Sequence, residues 1–360
     1  MLDRVTLAHF RNHPDTRLDG AVRFNLLIGE NGAGKTNVLE AISLLAPGKG
    51  LRRAALTDMA LEGGPGGFAV SAALAQVAGE PVQIGTATLP GRPGRRIVQV
   101  NSAECPAVAL GEWLAIGWLT PAMDRLFSDT PGARRRFLDR LVLAREPGHA
   151  RNAARAETAL RERNRLLSSE SEPDPAWLDA IEGQLAEAGA EVSAARGRMV
   201  ASLSEALAVL PEAPFARPLL AYLPGGPSER EALTAAMAES RRRDRAAQRS
   251  LIGPHRDELG VTMVGKGQPA SECSTGEQKA MLIAITLAHA GLLDGERPQV
   301  LLLDEVAAHL DPLRREALFE RLASGRAQVW MTGTERAPFS ALGPDTAIWR
   351  VAGGEAERLG

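Results

Sequence analysis

The run Gly29-Glu30-Asn31-Gly32-Ala33-Gly34-Lys35-Thr36 constrains this chain more than any other feature. It fits G-x-x-x-x-G-K-[ST], a loop whose glycines let successive backbone N–H groups face a phosphate. The flanks are those such a loop needs. Val22 to Ile28 is an apolar run short enough for a buried parallel strand, and Thr36 to Leu45 reads as a helix with Val38, Leu39, Ile42 and Leu45 at core spacing. The helix N-terminus adds its positive dipole to the anion site. Lys35 is expected to bridge the β- and γ-phosphates of ATP, and Thr36 to hold Mg2+.

The chemical partners of this loop stand at the opposite end of the chain. Gln299-Val300-Leu301-Leu302-Leu303-Asp304-Glu305 is an apolar strand ending in two carboxylates, the Walker B pattern. Asp304 is expected on the Mg2+ shell, and Glu305 is positioned to polarise a water for in-line attack on the γ-phosphorus. Ahead of it, Ser274-Thr275-Gly276-Glu277-Gln278-Lys279 opens an apolar helix from Ala280 to Leu293 and resembles the signature motif of ABC-type ATPases. That resemblance implies that Ser274 Oγ and the Gly276 N–H are free to bind a γ-phosphate offered by another subunit, and hence ATP-dependent dimerisation. S-x-x-E is also a capping box, and the two readings are compatible. His309-Leu310-Asp311 resembles the D-loop that couples paired sites in such dimers. One nucleotide site is thus assembled from the two ends of the chain, and whatever lies between must project without interrupting it.

With 360 residues, 44% apolar and 24% charged, the chain can bury a large core and still carry an appendage. The N-terminus has no apolar signal region and no run of 18 apolar residues occurs, so a cytosolic protein with no membrane partner is expected. Cys105 and Cys273 have no metal-ligand spacing and are expected to be reduced and structural.

From about Ala133 to Val209 the pattern is helical. Leu178, Ile181, Leu185, Ala188, Val192, Ala195 and Met199 recur at alternating intervals of three and four, a heptad seam. Ala153, Ala156, Leu160, Asn164 and Leu167 form a shorter stripe, joined to the first by the polar turn Ser168 to Pro175. The simplest reading is an antiparallel helical arm about 30 Å long. A helical subdomain packed on the core is the alternative.

The ends of the arm and the chain start carry three further marks: Phe10-Arg11-Asn12-His13, Arg135-Arg136-Phe137-Leu138-Asp139 and Gly253-Pro254-His255-Arg256-Asp257. With the ATPase motifs these resemble the RecF family of bacterial recombination mediators, relatives of the SMC chromosome-organising ATPases with a shortened arm. The chain departs from the family at His13, usually tyrosine, and at Glu258, usually aspartate.

The resemblance implies an α/β fold: an ABC-type ATPase head with a P-loop sheet and a β-rich lobe near residues 68–100, and an inserted antiparallel helical arm. Residues 1–126 and 250–360 would form the head, and residues 127–249 the arm. Arg11 and Asn12 would join Gly29 to Thr36, Ser274 to Gln278 and Asp311 in binding nucleotide, with Glu305, Lys35, Asp304 and Ser274 as catalytic groups. ATP would clamp two heads on DNA, double-stranded or at single/double-strand junctions, without sequence specificity. RecR and RecO would be partners in loading RecA, in repair of gapped DNA and stalled forks, and hydrolysis would be slow and DNA-stimulated.

A net charge of -2 provides no global positive field for DNA. Two local clusters remain, Arg134, Arg135 and Arg136, and Arg241, Arg242, Arg243 and Arg245 with Arg249 nearby. Both are expected at the base of the arm, facing phosphates or lying as solvated helix faces. A transporter's nucleotide-binding subunit shares the motifs but carries a histidine switch after Walker B, where this chain reads Met331-Thr332-Gly333-Thr334. An SMC-like DNA-bridging protein would need arms of hundreds of residues.

Overall fold

The computed structural model describes residues 1–75, 81–293 and 297–359. Residues 76–80, inside the expected β-rich lobe, and the side chain of His309, in the expected D-loop, lie outside the described residues. The chain forms two compact units, Met1–Met123 with Thr286–Gly360, and Asp124–Ile285.

The first unit holds two six-stranded sheets. One is largely parallel, in the order β15 (Glu355–Leu359), β14 (Ala347–Ala352), β3 (Phe24–Ile28), β13 (Gln328–Gly333), β12 (Gln299–Leu303), β8 (Ala115–Leu119), with only the β14–β15 pair antiparallel. Its central strands read as continuous apolar runs because both faces are covered. β3 lies between two strands from the far end of the chain, with Leu26 opposite Met331 and Ile348. Trp330 and Trp349, from the two strands flanking β3, stack with ring centroids 5.4 Å apart. The other sheet is antiparallel, in the order β2 (His13–Asp19), β1 (Leu2–Phe10), β4 (Phe68–Leu74), β5 (Val82–Leu89), β6 (Arg92–Val100), β7 (Ala103–Glu104). The expected lobe thus extends beyond residues 68–100, because the N-terminal hairpin joins it through β1. Helices α1 (Lys35–Ser43), α2 (Leu110–Trp113) and α8 (Pro312–Ser324) belong to this unit, and the apolar face of α1, Val38, Leu39 and Ile42, enters a core shared with β1, β12 and Trp330.

The second unit contains α3 (Pro131–Arg145), α4 (His149–Leu167), α5 (Pro175–Ala208), α6 (Arg230–Ala247), most of α7 (Thr275–Leu292) and a three-stranded sheet, β11 (Gln268–Pro269), β10 (Glu258–Met263), β9 (Pro218–Leu223). α4 and α5 form the expected antiparallel pair, with Asp174 capping α5 and Pro175 at its first turn. Leu178, Leu185, Ala188, Val192, Ala195 and Met199 are all buried. A third helix also joins the pair, since Leu233 and Met237 of α6 pack with Ala156, Ala159 and Leu185. The helices are therefore a packed bundle rather than two helices alone.

This unit reaches further along the chain than the expected arm, residues 127–249. β10 pairs with β9, placing Leu259 opposite Tyr222, and Asp257 accepts bonds from Arg196 and Tyr222, so residues beyond 250 pack with the helices. Among the described residues no helix is long and apolar enough to cross a membrane.

Candidate nucleotide site

The loop between β3 and α1 is braced from beneath by the turn after β1. Gly34 has φ +114, and a Cβ there would lie 2.7 Å from Asn12 and His13 side-chain atoms, so glycine is required twice over. Asn12 donates to Ala33 O at 3.0 Å and accepts from Asn37 at 2.7 Å, while His13 Nε2 lies 3.1 Å from Gly34 O and its Nδ1 2.9 Å from Thr16 Oγ. The His13 ring is fully buried, and burial lowers its pKa. At the loop's tip Glu30, Asn31 and Gly32 are exposed, and nothing lies within 4 Å of where a Gly32 Cβ would stand. That open, N–H-rich concavity fits a polyphosphate.

Lys35 is buried, its ammonium donating to Gly29 O and Glu30 O at 2.7 Å each. Burial lowers its pKa, with the Glu305 and Asp304 carboxylates opposing that shift. Thr36 Oγ donates to Asp304 Oδ1 at 2.9 Å, so the residues from opposite ends of the chain meet in one hydrogen bond. Asp304 stands at the tip of β12, where its N–H bonds Leu119 O of the neighbouring strand. Burial pushes its carboxyl above the usual range, against bonds from Thr332 and Thr36 and the field of Arg52. A hydroxyl and a carboxylate held side by side are a suitable oxygen donor set for Mg2+.

Other expected ligands are committed to the protein itself. Arg11 clamps Glu40 through two bonds of 2.9 and 2.8 Å and reaches Asp58 O, because the Glu40 carboxylate is fully buried on α1 and requires a paired cation. Asn12 holds the loop rather than presenting a free amide. Asp311 caps α8, accepting from Arg314 N at 3.0 Å.

In the second unit, the Ser274 hydroxyl is not free: it donates to Glu277 at 2.9 Å, while the Glu277 carboxylate accepts the Ser274 N–H and the Glu277 N–H donates back to Ser274 Oγ at 3.4 Å, the reciprocal bonds of a capping box. Lys266 and these Ser274 bonds hold the Glu277 carboxyl at about 2. Gln278 is buried, donating to Cys273 O at 2.9 Å, with its Oε1 3.2 Å from Ser128 Oγ. Thr275 and Gly276 are exposed at the start of α7.

The expected convergence of arginines does not occur. Arg134 binds Glu258 in a two-pronged pair and Arg135 donates to Asp257 O, near Arg196 of α5. Arg241 pairs with Asp179 and Glu182 near the start of α5, and Arg245 binds carbonyls of Ser169, Glu170 and Ser171 in the α4–α5 turn. α6 runs antiparallel to α5, with its C-terminal arginines toward the far end of the helical pair. The clusters therefore lie about 20 Å apart along α5, the rise between Glu182 and Arg196. Arg136, Arg242, Arg243 and Arg249 remain exposed.

The sequence reading missed Thr332, which bonds both Asp304 and the Glu305 backbone, and Arg52, which bonds Glu40 and Asn37. Neither has a motif, although Thr332 stood where the absence of a histidine had been noted.

A P-loop strand inside a largely parallel sheet, an antiparallel lobe and a Walker B carboxylate on the loop threonine define an ATPase head of the ABC class. The family model for the RecF/RecN/SMC N terminal domain matches residues 1–348. DNA replication and repair protein RecF of Mesorhizobium japonicum is 48% identical over 359 residues, covering 95% of this chain and 93% of that protein. Its counterpart in Brucella suis biovar 1 is 45% identical, covering 98% and 94%. In fold, the chain is similar to a solved structure of the recombination mediator protein RecF-ATP in the RecFOR pathway, with TM-score 0.87 at 23% identity, covering 100% of this chain and 97% of that one. It is less similar to an SMC head bound to the C-terminal winged-helix domain of ScpA, with TM-score 0.55 at 15% identity. The chain belongs to the RecF family of DNA replication and repair proteins.

Proposed function

We propose that this protein is a Mg2+-dependent ATPase that mediates recombinational repair, binding DNA without sequence specificity as an ATP-dependent homodimer. The observation that carries the reading is the bond between Thr36 and Asp304, which brings the loop hydroxyl and the Walker B carboxylate together. Bound MgATP supplies the γ-phosphoryl group that hydrolysis removes. In this reading the N–H groups of Gly29 to Lys35 cradle the phosphates and the Lys35 ammonium exchanges its carbonyl partners for phosphate oxygens. Thr36 and Asp304 hold the metal, and Glu305 takes the proton of the attacking water.

Ser274 and its neighbours through Gln278 would serve a second copy's nucleotide, which requires the Ser274 hydroxyl to leave Glu277. DNA would meet exposed arginines such as Arg242, Arg243 and Arg249, and RecR and RecO would act with this protein in loading RecA at gapped DNA and stalled forks. Support comes from the family and from the paired chemistry of the site.

Replacement of Lys35 by alanine tests the reading. Hydrolysis is expected to fall at least about 100-fold, the several kcal/mol that a preorganised cation contributes, with ATP affinity falling too. Hydrolysis at the parent rate in a folded Lys35→Ala protein would remove this loop from the chemistry.

A further inference from the structure

Thr332 sits near the end of β13 with 1% of its surface exposed. Its backbone is paired with Leu27 of β3, and on the other side β12 pairs up to Leu303 opposite Met331. The residue is thus fixed between the P-loop strand and the Walker B strand, level with Asp304. Its hydroxyl accepts the Glu305 N–H at 2.8 Å and donates to Asp304 Oδ1 at 2.9 Å. The assignment of roles is forced, since an N–H only donates, an ionised carboxylate only accepts, and a hydroxyl does both.

Glu305 has φ +53, in the left-handed region that residues other than glycine, asparagine and aspartate seldom enter. Such a conformation persists where the surroundings over-determine it, and it sets the direction in which the side chain leaves the backbone. The bond from Thr332 falls on the N–H of that very residue. We infer that Thr332 is a positioning residue for hydrolysis, holding Glu305 in its left-handed conformation while orienting Asp304 through the same hydroxyl. This rests on the functional reading above. It gives the strand end after Walker B a role in aligning the acidic pair, exercised through the protein and not through contact with nucleotide.

The test compares Thr332→Val, Thr332→Cys and Thr332→Ser with the parent and with Lys35→Ala, measuring steady-state ATP hydrolysis and equilibrium binding of a fluorescent ATP analogue. Valine keeps the shape and removes both bonds. Its kcat is expected to fall about 10- to 100-fold, the usual effect of losing an orienting group behind a metal ligand, with the dissociation constant within about threefold of the parent. Serine recovers most of the rate. Should the valine protein fail to fold, cysteine, similar in size with a weak donor, carries the same comparison.

A folded valine or cysteine variant with kcat within threefold of the parent overturns the inference. A loss of binding equal to the loss of rate, or a serine variant as slow as valine, also overturns it. If the parent hydrolyses ATP no faster than Lys35→Ala, the functional reading itself fails, and this inference with it. That outcome is distinct, because it appears before any change at Thr332 is made.

Discussion

The Asp304 carboxylate is where stability and chemistry pull apart. Burial raises its pKa, and a carboxyl raised in the folded state adds stability while protonated and loses it as pH rises through its folded value. At neutral pH the ionised group is therefore a cost. Asp304→Asn keeps an oxygen for the Thr36 and Thr332 hydroxyls while removing the charge. Its melting temperature without nucleotide is expected to exceed the parent's, while Mg2+-dependent hydrolysis falls about 100-fold or more. Calorimetry beside an ATPase assay checks both, and a lowered melting temperature would contradict the electrostatic account. The motif residues at this scale were legible because phosphate and metal chemistry fixes their type and spacing. The partners of Arg11, Asn12 and Ser274 were not, because a buried Glu40, the loop carbonyls and a capping glutamate compete for them, and that competition is decided only by the tertiary structure.

Helices α4, α5 and α6 are tied by one cation. Arg163 is fully buried, pairing with Glu182 at 2.9 Å and Asp244 at 2.7 Å, both themselves fully buried, and also reaching Ser250 Oγ and Met237 O. Arg163→Ala leaves two buried carboxylates without that partner, a change that costs about 3–5 kcal/mol. Chemical denaturation followed by circular dichroism should show this as a lowered midpoint, and a shift below about 1 kcal/mol would mean that the carboxylates find other partners. The α5 seam was readable because its three-and-four spacing is apolar throughout. α6 was not recognised as a third member, because its inward stripe mixes Leu233 and Met237 with Ser240 and Asp244, and polar residues at core positions look like surface until their partner, here Arg163, is known.

For the whole molecule, a net charge of -2 leaves DNA binding to local groups, and the ion pairs sort the arginines into two kinds. Arg242, Arg243 and Arg249 are exposed, whereas Arg241 is held by Asp179 and Glu182. Replacing the exposed three with alanine is expected to weaken DNA binding on every sequence and to flatten the slope of log K against log salt by up to about 3 units. Arg241→Ala should lower stability with little change in that slope. Equal slopes for parent and triple variant would exclude these three side chains from the interface. The position of β3 has a different kind of consequence, in the time a cell needs to make the protein. Residues Phe24–Ile28 leave the ribosome well before both flanking strands, β13 and β14, which begin at Gln328 and Ala347. At about 5–20 residues per second, the strand that carries the phosphate loop waits some tens of seconds for its neighbours. Meanwhile β1 can already pair with β2, and the helices of the second unit can pack with one another. Nascent chains cut short before Gln328 therefore carry the loop's sequence without the sheet that shapes it, and an ATP-binding head arises only once β13 and β14 have been made.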